Sequence, residues 1–222
     1  MCGRFTLTVD PADLQEAFPE FTFPTQAAPR YNIAPSQPIL ALPNDGTKRA
    51  DFFVWGLIPS WAKDATIGGR LINARAETLA EKPSFRGAYK YHRGLIFADG
   101  FYEWQARPGS NSKVPYFIRL KSGAPFAFAG LWDNWQSADG SEVRSATIIT
   151  TGPNQLMESI HNRMPVILQQ DTYTQWLDPA PQSPNRLDGL LVPYPAAEME
   201  AYPVSTLVNS PGNDRVECVL PA

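Results

Sequence analysis

Proline sets the strongest limit on this chain: 22 prolines are spread from Pro11 to Pro221, in company with Gly, Asn and Asp. A proline inside a helix removes a backbone hydrogen bond and clashes with the preceding turn, so such spacing excludes long helices. Short apolar or alternating runs recur between the breaks, at 39–42, 52–55, 95–98, 116–120, 126–131, 146–150, 166–168 and 216–220, and these read as strands. Helical signals are fewer. Asp10-Pro11 forms a cap and first-turn pair before Leu14, Ala17 and Phe18, Pro153 opens a short helix through Ile160, and Asp171 caps a third through Trp176. Strands outnumber helices and do not alternate regularly with them. The expected fold class is therefore α+β, β-rich and mostly antiparallel, with a sheet curled toward a barrel and a few short helices. One domain over 1–222 is expected, with the Pro/Gln/Ser/Asn-rich stretch 178–189 as a surface loop rather than a boundary.

The net charge is -3, which excludes the broad basic surface of a generic nucleic-acid binder, so any nucleic-acid contact must be narrow. The opening MCGRFTLTVD has no apolar stretch of signal-peptide length, and no run approaches the roughly 20 apolar residues that span a bilayer. A soluble, cytoplasmic protein is expected. The two cysteines, Cys2 and Cys218, lie at opposite ends and form no disulfide framework, and with two histidines their spacings match no common zinc site. Cys218, in an apolar run, reads as a buried strand residue. No metal and no cofactor are expected.

Cys2 carries the most reactive chemistry. An initiator methionine is usually removed when the second residue is small, and the new terminus would hold an amine and a thiol on adjacent carbons. Their reference pKa values are about 7.7–8.0 and about 8.5, so both supply some nucleophilic form near neutral pH. An aldehyde is the natural partner: the amine forms an imine, and the thiol closes on it to give a five-membered thiazolidine. Cys2 alone could equally be a small residue at a frayed end.

Three further segments combine polar residues with aromatic or proline neighbours. Asn73 and Arg75, two apart, share a face if the segment is extended, or are a turn asparagine and a solvated arginine. Glu103 lies between Tyr102 and Trp104 after an apolar strand and an Asp-Gly turn. Burial there would raise its pKa into the range of proton transfer, and a surface glutamate on a hairpin is the competing reading. His161 stands two residues before Arg163, which an extended backbone would place beside it, one for protons and one for a phosphate, although a lone histidine is more often structural. His92 reads as a surface residue.

Together these segments resemble the SRAP (SOS response-associated peptidase) family, whose members process abasic sites in DNA. The resemblance rests on Met-Cys-Gly-Arg-Phe at residues 1–5, Arg-Tyr-Asn-Ile-Ala-Pro at 30–35 and Trp-Gly-Leu-Ile-Pro at 55–59. It continues in order through Ile-Asn-Ala-Arg-Ala-Glu-Thr at 72–78, Phe-Ala-Asp-Gly-Phe-Tyr-Glu-Trp at 97–104 and Ile-His-Asn-Arg-Met-Pro at 160–165. It implies a β-rich single domain whose Cys2, freed of Met1 by self-processing or an aminopeptidase, links through a thiazolidine to the ring-opened aldehyde of an abasic site in single-stranded DNA. Such a protein would act as a DNA-associated monomer in the response to DNA damage.

By the same resemblance Asn73 positions the Cys2 amine and the sugar, Glu103 assists proton transfers, and His161 is a second acid/base near the deoxyribose. Arg4, Arg75 and Arg163 become phosphate-binding arginines, and Asn32 and Pro35 shape the pocket. A few aimed arginines can hold a short single strand on a slightly negative protein. Trp61 and Trp104 are then candidates to stack on bases, with core tryptophans as the alternative. Where relatives carry a tandem aromatic this chain has Trp61-Ala62, which implies a weaker or differently built wedge. Two other functions remain open at this point: an N-terminal-cysteine amidase or peptidase, and a non-catalytic single-stranded DNA-binding module.

Overall fold

Five of the eight expected apolar runs, 39–42, 52–55, 95–98, 126–131 and 146–150, become the staves of a closed barrel, whereas 116–120 falls in a second sheet and 166–168 is not a strand but carries one isolated bridge at Ile167. In the computed structural model, which describes residues 2–107, 109 and 112–222, the strands are β1 (Phe5–Leu7), β2 (Arg30–Ile33), β3 (Pro38–Pro43), β4 (Asp51–Trp55), β5 (Asn73–Arg75) and β6 (Arg93–Ala98). They continue with β7 (Gly100–Ala106), β8 (Lys113–Leu120), β9 (Phe126–Gln136), β10 (Glu142–Thr151), β11 (Met164–Pro165) and β12 (Met199–Pro203). Strands β10, β4, β3, β6 and β9 pair in that order, and β9 closes on β10. All of these pairings are antiparallel except β4 with β10. Every residue of β6 is buried, because its outer side is covered by β1 and by the helices α2 (Arg86–Tyr91) and α3 (Tyr173–Trp176). That double burial explains its continuous apolar sequence.

A second, wholly antiparallel sheet runs β12-β8-β7-β1-β2 and packs against the barrel. Phe5 stitches the two together: its ring meets Trp55 of β4 edge-on at 5.1 Å and Phe128 of β9 at 5.7 Å, and all three side chains are fully buried. The chain passes from β6 in the barrel to β7 in the second sheet through Asp99 alone. Its carboxylate accepts the hydroxyls of Thr6 and Thr8 and the Thr8 amide, so the crossover is fastened to β1. Gly100 is needed there, since a Cβ would lie 2.2 Å from the Phe117 ring. The Asp-Gly pair therefore makes a change of sheet, not a hairpin turn.

Helices are short, as the prolines require. In α1 (Pro11–Ala17) Asp10 caps the first turn by accepting from the Ala12 and Asp13 amides, as expected. Other expectations are corrected. The stretch from Pro153 holds only one 3-10 turn, Met157–Ser159, because the Asn154 side chain, not Pro153, organises it by accepting the Met157 amide at 3.0 Å. Asp171 does not cap α3; it lies within a 3-10 turn, Gln170–Thr172, that leads into the helix. The loop at 178–189 contains α4 (Pro184–Leu187). The run at 216–220 is not a strand but a 3-10 turn, Val216–Cys218, that buries Cys218 and leaves Val216 and Leu220 exposed.

Arg93 of β6 has no exposed surface and donates to the carbonyls of Tyr89, Lys90, Trp176, Asp178 and Ala180, gathering the ends of α2 and α3 under one guanidinium. Among the described residues no helix is long and apolar enough to cross a membrane.

Candidate active site

The site forms where the segment leading into β1 passes between the two sheets. Phe5 anchors that segment, and the Tyr102 amide holds the Arg4 carbonyl at 3.0 Å. Cys2 is left with no solvent-exposed surface. Its Sγ lies 3.8 Å from the Arg4 carbonyl oxygen, and its own carbonyl accepts a hydrogen bond of 2.7 Å from Asn73 Nδ2. Asn73 opens β5, a short strand parallel to β10, so the barrel itself presents this amide to residue 2.

Glu103 enters from β7. It is only 2% exposed, which removes the hairpin-surface reading. Burial pushes its carboxyl above the usual carboxylate range, with the neighbouring His161 pulling part of the way back. Glu103 Oε1 lies 3.9 Å from His161 Nδ1. Burial likewise drives the Cys2 thiol far above its ordinary pKa, and the charge of Glu103 adds to that effect. Both shifts favour the uncharged forms of the thiol and the carboxyl.

His161 follows the Met157–Ser159 turn, which Gln105 of β7 fastens by donating to the Ser159 carbonyl at 2.8 Å. The Arg163 amide lies 3.1 Å from His161 Nδ1. That contact fixes the ring through the two-residue spacing seen in the sequence. The Arg163 side chain turns back to the barrel, where Nη2 donates to the Thr150 carbonyl at 2.6 Å and the fork pairs with Glu77.

Cys2, Asn73, Glu103 and His161 are therefore brought together from four separate segments. The remaining candidates are placed differently. Arg4 donates to Asn32 Oδ1 at 3.0 Å, to the Val208 carbonyl at 2.7 Å and to the Asn209 carbonyl at 3.3 Å. Asn32 is fully buried, and its amide donates to the carbonyls of Val208, Ser210 and Asn213. Pro35 is half-buried at the turn into β3. Arg75 is exposed on the same strand as Asn73, and among the described residues no hydrogen bond or ion pair holds its guanidinium. Trp61 is 60% exposed, on a turn fastened by the Trp135 indole, which donates to the Ala62 carbonyl. Trp104 is half-buried and its Nε1 donates to Asn209 Oδ1 at 2.7 Å. His92 is less free than expected, stacked on Trp132 and 3.4 Å from Asp133. Among the described residues no cluster could hold a metal ion.

The sequence alone does not mark the segment 205–214. Asn209 holds both Arg4 and Trp104, and Asp214 accepts from the Arg30 side chain and from the amides of Tyr31 and Asn32. No local signal points to these partners, which lie 105 residues or more away along the chain. Replacing Asn209 with alanine is expected to cost about 1 kcal/mol of stability, the usual net worth of a side-chain hydrogen bond. It should also release the indole, measurable as a red shift of Trp104 fluorescence against a Trp104→Phe reference. An unchanged spectrum would show that the bond does not hold the ring.

A buried thiol on residue 2, a side-chain amide on its carbonyl, and a buried carboxyl beside a histidine define a class of proteins that hold the beginning of the chain as the centre of a polar site. A profile described as SOS response associated peptidase (SRAP) matches residues 1–211, and the chain belongs to this family. It is 51% identical over 98% of its length to the abasic site processing protein YoaM of Bacillus subtilis, covering 96% of that protein. It is 32% identical over its full length to the abasic site processing protein HMCES of Rattus norvegicus, covering 76% of that protein. Among solved structures, a protein from Bacteroides thetaiotaomicron superposes with a TM-score of 0.88 at 26% identity, with both chains fully covered.

Proposed function

We propose that this protein processes abasic sites by linking itself covalently to them in single-stranded DNA through Cys2. The observation that carries the proposal is the 2.7 Å hydrogen bond from Asn73 to the carbonyl of residue 2, made beside a buried carboxyl. Hydrolysis of the Met1–Cys2 peptide bond consumes one water and frees the Cys2 amine. The amine adds to the C1′ aldehyde of the ring-opened sugar, and loss of one water gives an imine. The Cys2 sulfur then adds to the imine carbon while its proton passes to the imine nitrogen, closing a thiazolidine with no further leaving group.

Each neighbour has work in this sequence. Asn73 fixes the backbone of residue 2 so that amine and sulfur approach one carbon together. Glu103 relays the thiol proton that burial would otherwise retain, and gives up or takes the protons of water loss. His161 serves the sugar side, as a second acid/base in opening the deoxyribose ring. Arg75, exposed beside Asn73, is positioned to meet a phosphate, and Trp61 to meet a base.

The test pairs a single strand containing one abasic site with the same strand containing its tetrahydrofuran analogue, which has no aldehyde. An adduct that survives denaturing electrophoresis is expected with the first and not with the second. An amidase or a passive binder would give an adduct with neither, and that result would overturn the proposal.

A further inference from the structure

Glu77, in the 3-10 turn Ala76–Thr78 just after β5, spans the fork of Arg163 with both oxygens, at 2.6 and 3.0 Å. The two partners are unequal. The Arg163 side chain is 15% exposed and tied to Thr150 from behind, whereas that of Glu77 is 53% exposed and is held by Arg163 and its own backbone amide. One is fixed in the barrel wall, and the other can swing into water. The pairing is also incomplete, since it is end-on and leaves the buried Arg163 Nε without a hydrogen-bond partner.

A carboxylate and a phosphate offer a guanidinium the same two-oxygen geometry. We propose that Glu77 is a built-in phosphate surrogate, a specificity-determining residue that occupies Arg163 in the free protein and must be displaced by a DNA backbone phosphate. This rests on the abasic-site linkage proposed above, in which His161 serves the sugar, and on Arg163 holding His161 through its backbone amide at 3.1 Å. Displacement costs little on the Glu77 side, because the carboxylate is already half in solvent. It nevertheless sets a threshold: a tethered carboxylate competes at high effective concentration, so a phosphate that merely drifts past does not win. A strand held at Cys2 keeps its neighbouring phosphate in place long enough to do so. Intact strands, which lack the covalent anchor, are thereby disfavoured, and the acidic balance of the chain, -3, works in the same direction.

Binding of an intact oligothymidylate, which contains no aldehyde, tests this separately from the covalent chemistry. Glu77→Gln is expected to bind it several-fold more tightly at low salt. The slope of log affinity against log salt should steepen by about 0.7, the contribution of one added phosphate contact on a single strand. Adding Arg163→Gln to that variant should return both quantities to wild-type values. Glu77→Asp, which keeps the charge but shortens its reach, should fall between wild type and Glu77→Gln, and it decides the matter should Glu77→Gln fail to fold. Unchanged affinity and slope in the variants, or weaker binding in Glu77→Gln, would overturn the proposal, weaker binding meaning that Glu77 serves only to brace Arg163. Loss of cross-linking in the wild type with this salt behaviour intact would instead count against the thiazolidine chemistry alone.

Discussion

Cys2→Ser is expected to reduce the denaturation-resistant linkage to abasic single strands to background while leaving attack by the amine intact. Serine keeps the α-amine once Met1 is gone, so the imine still forms. Its hydroxyl is a far weaker nucleophile than a thiol and does not close a stable ring. The open imine has two observable fates: it is trapped by borohydride, or it promotes β-elimination and cuts the strand. Gel analysis with and without borohydride distinguishes these outcomes from wild type. A heat-stable adduct of undiminished yield in Cys2→Ser would refute ring closure. Cys2 is wholly buried, so a serine hydroxyl there costs stability unless it finds a hydrogen-bond partner. A cooperative melting transition in the variant, well above the assay temperature, shows that loss of adduct is not loss of the fold.

Glu103→Gln should slow single-turnover adduct formation by about 10²–10⁴-fold, the usual contribution of a positioned acid or base. The same substitution should stabilise the protein at neutral pH by on the order of 1 kcal/mol, because a carboxylate held in a buried site for its chemistry is a cost to the fold. The pH dependence follows from the direction of the shift. Glu103 has its folded pKa raised, first by burial, with His161 partly opposing. Its protonated form is therefore the one the fold favours. That stability is fully present below the pKa of an unfolded glutamate and is lost as pH rises through the higher folded value. The melting difference between Glu103→Gln and wild type should accordingly be smallest in acid and widen across that window. Thermal unfolding measured at a series of pH values checks this. A difference that stays flat with pH would mean that burial does not control the carboxyl.

The barrel was legible in the sequence because β3, β6, the first half of β9 and the second half of β10 are buried on both sides and so read as continuous apolar runs, while β4 leaves Phe52 exposed yet is apolar from Phe52 to Trp55. Strands β1, β2, β5, β7 and β12 were not assigned from pattern alone. β1, β2 and β5 are three or four residues long, and polar residues interrupt the pattern of β2, β5 and β7: Asn32 holds the carbonyls of Val208, Ser210 and Asn213, while Asn73 and Glu103 lie at the candidate site. The run at 216–220 misled because Val216, Val219 and Leu220 are apolar yet not fully buried, while Cys218 alone turns inward. At the site, residue type pointed to Cys2, and the family resemblance to Asn73, Glu103 and His161. Their convergence depends on the Asp99 crossover and on β5 lying beside β10, neither of which leaves a local signature. Glu77 sat in plain view within a recognised motif. Its role emerges only once Arg163, 86 residues on, folds back to it.

Asp214 has a consequence at the margin of the family boundary. Its carboxylate accepts the amides of Tyr31 and Asn32, and β2 is the last strand on its side of the sheet. The side chain therefore stands where another strand would otherwise dock, terminating the sheet with a single charged group. The family match ends at residue 211, three positions short of it. A chain trimmed to that boundary would keep every residue of the proposed chemistry and expose a bare strand edge, the form in which β-proteins pair with one another and aggregate.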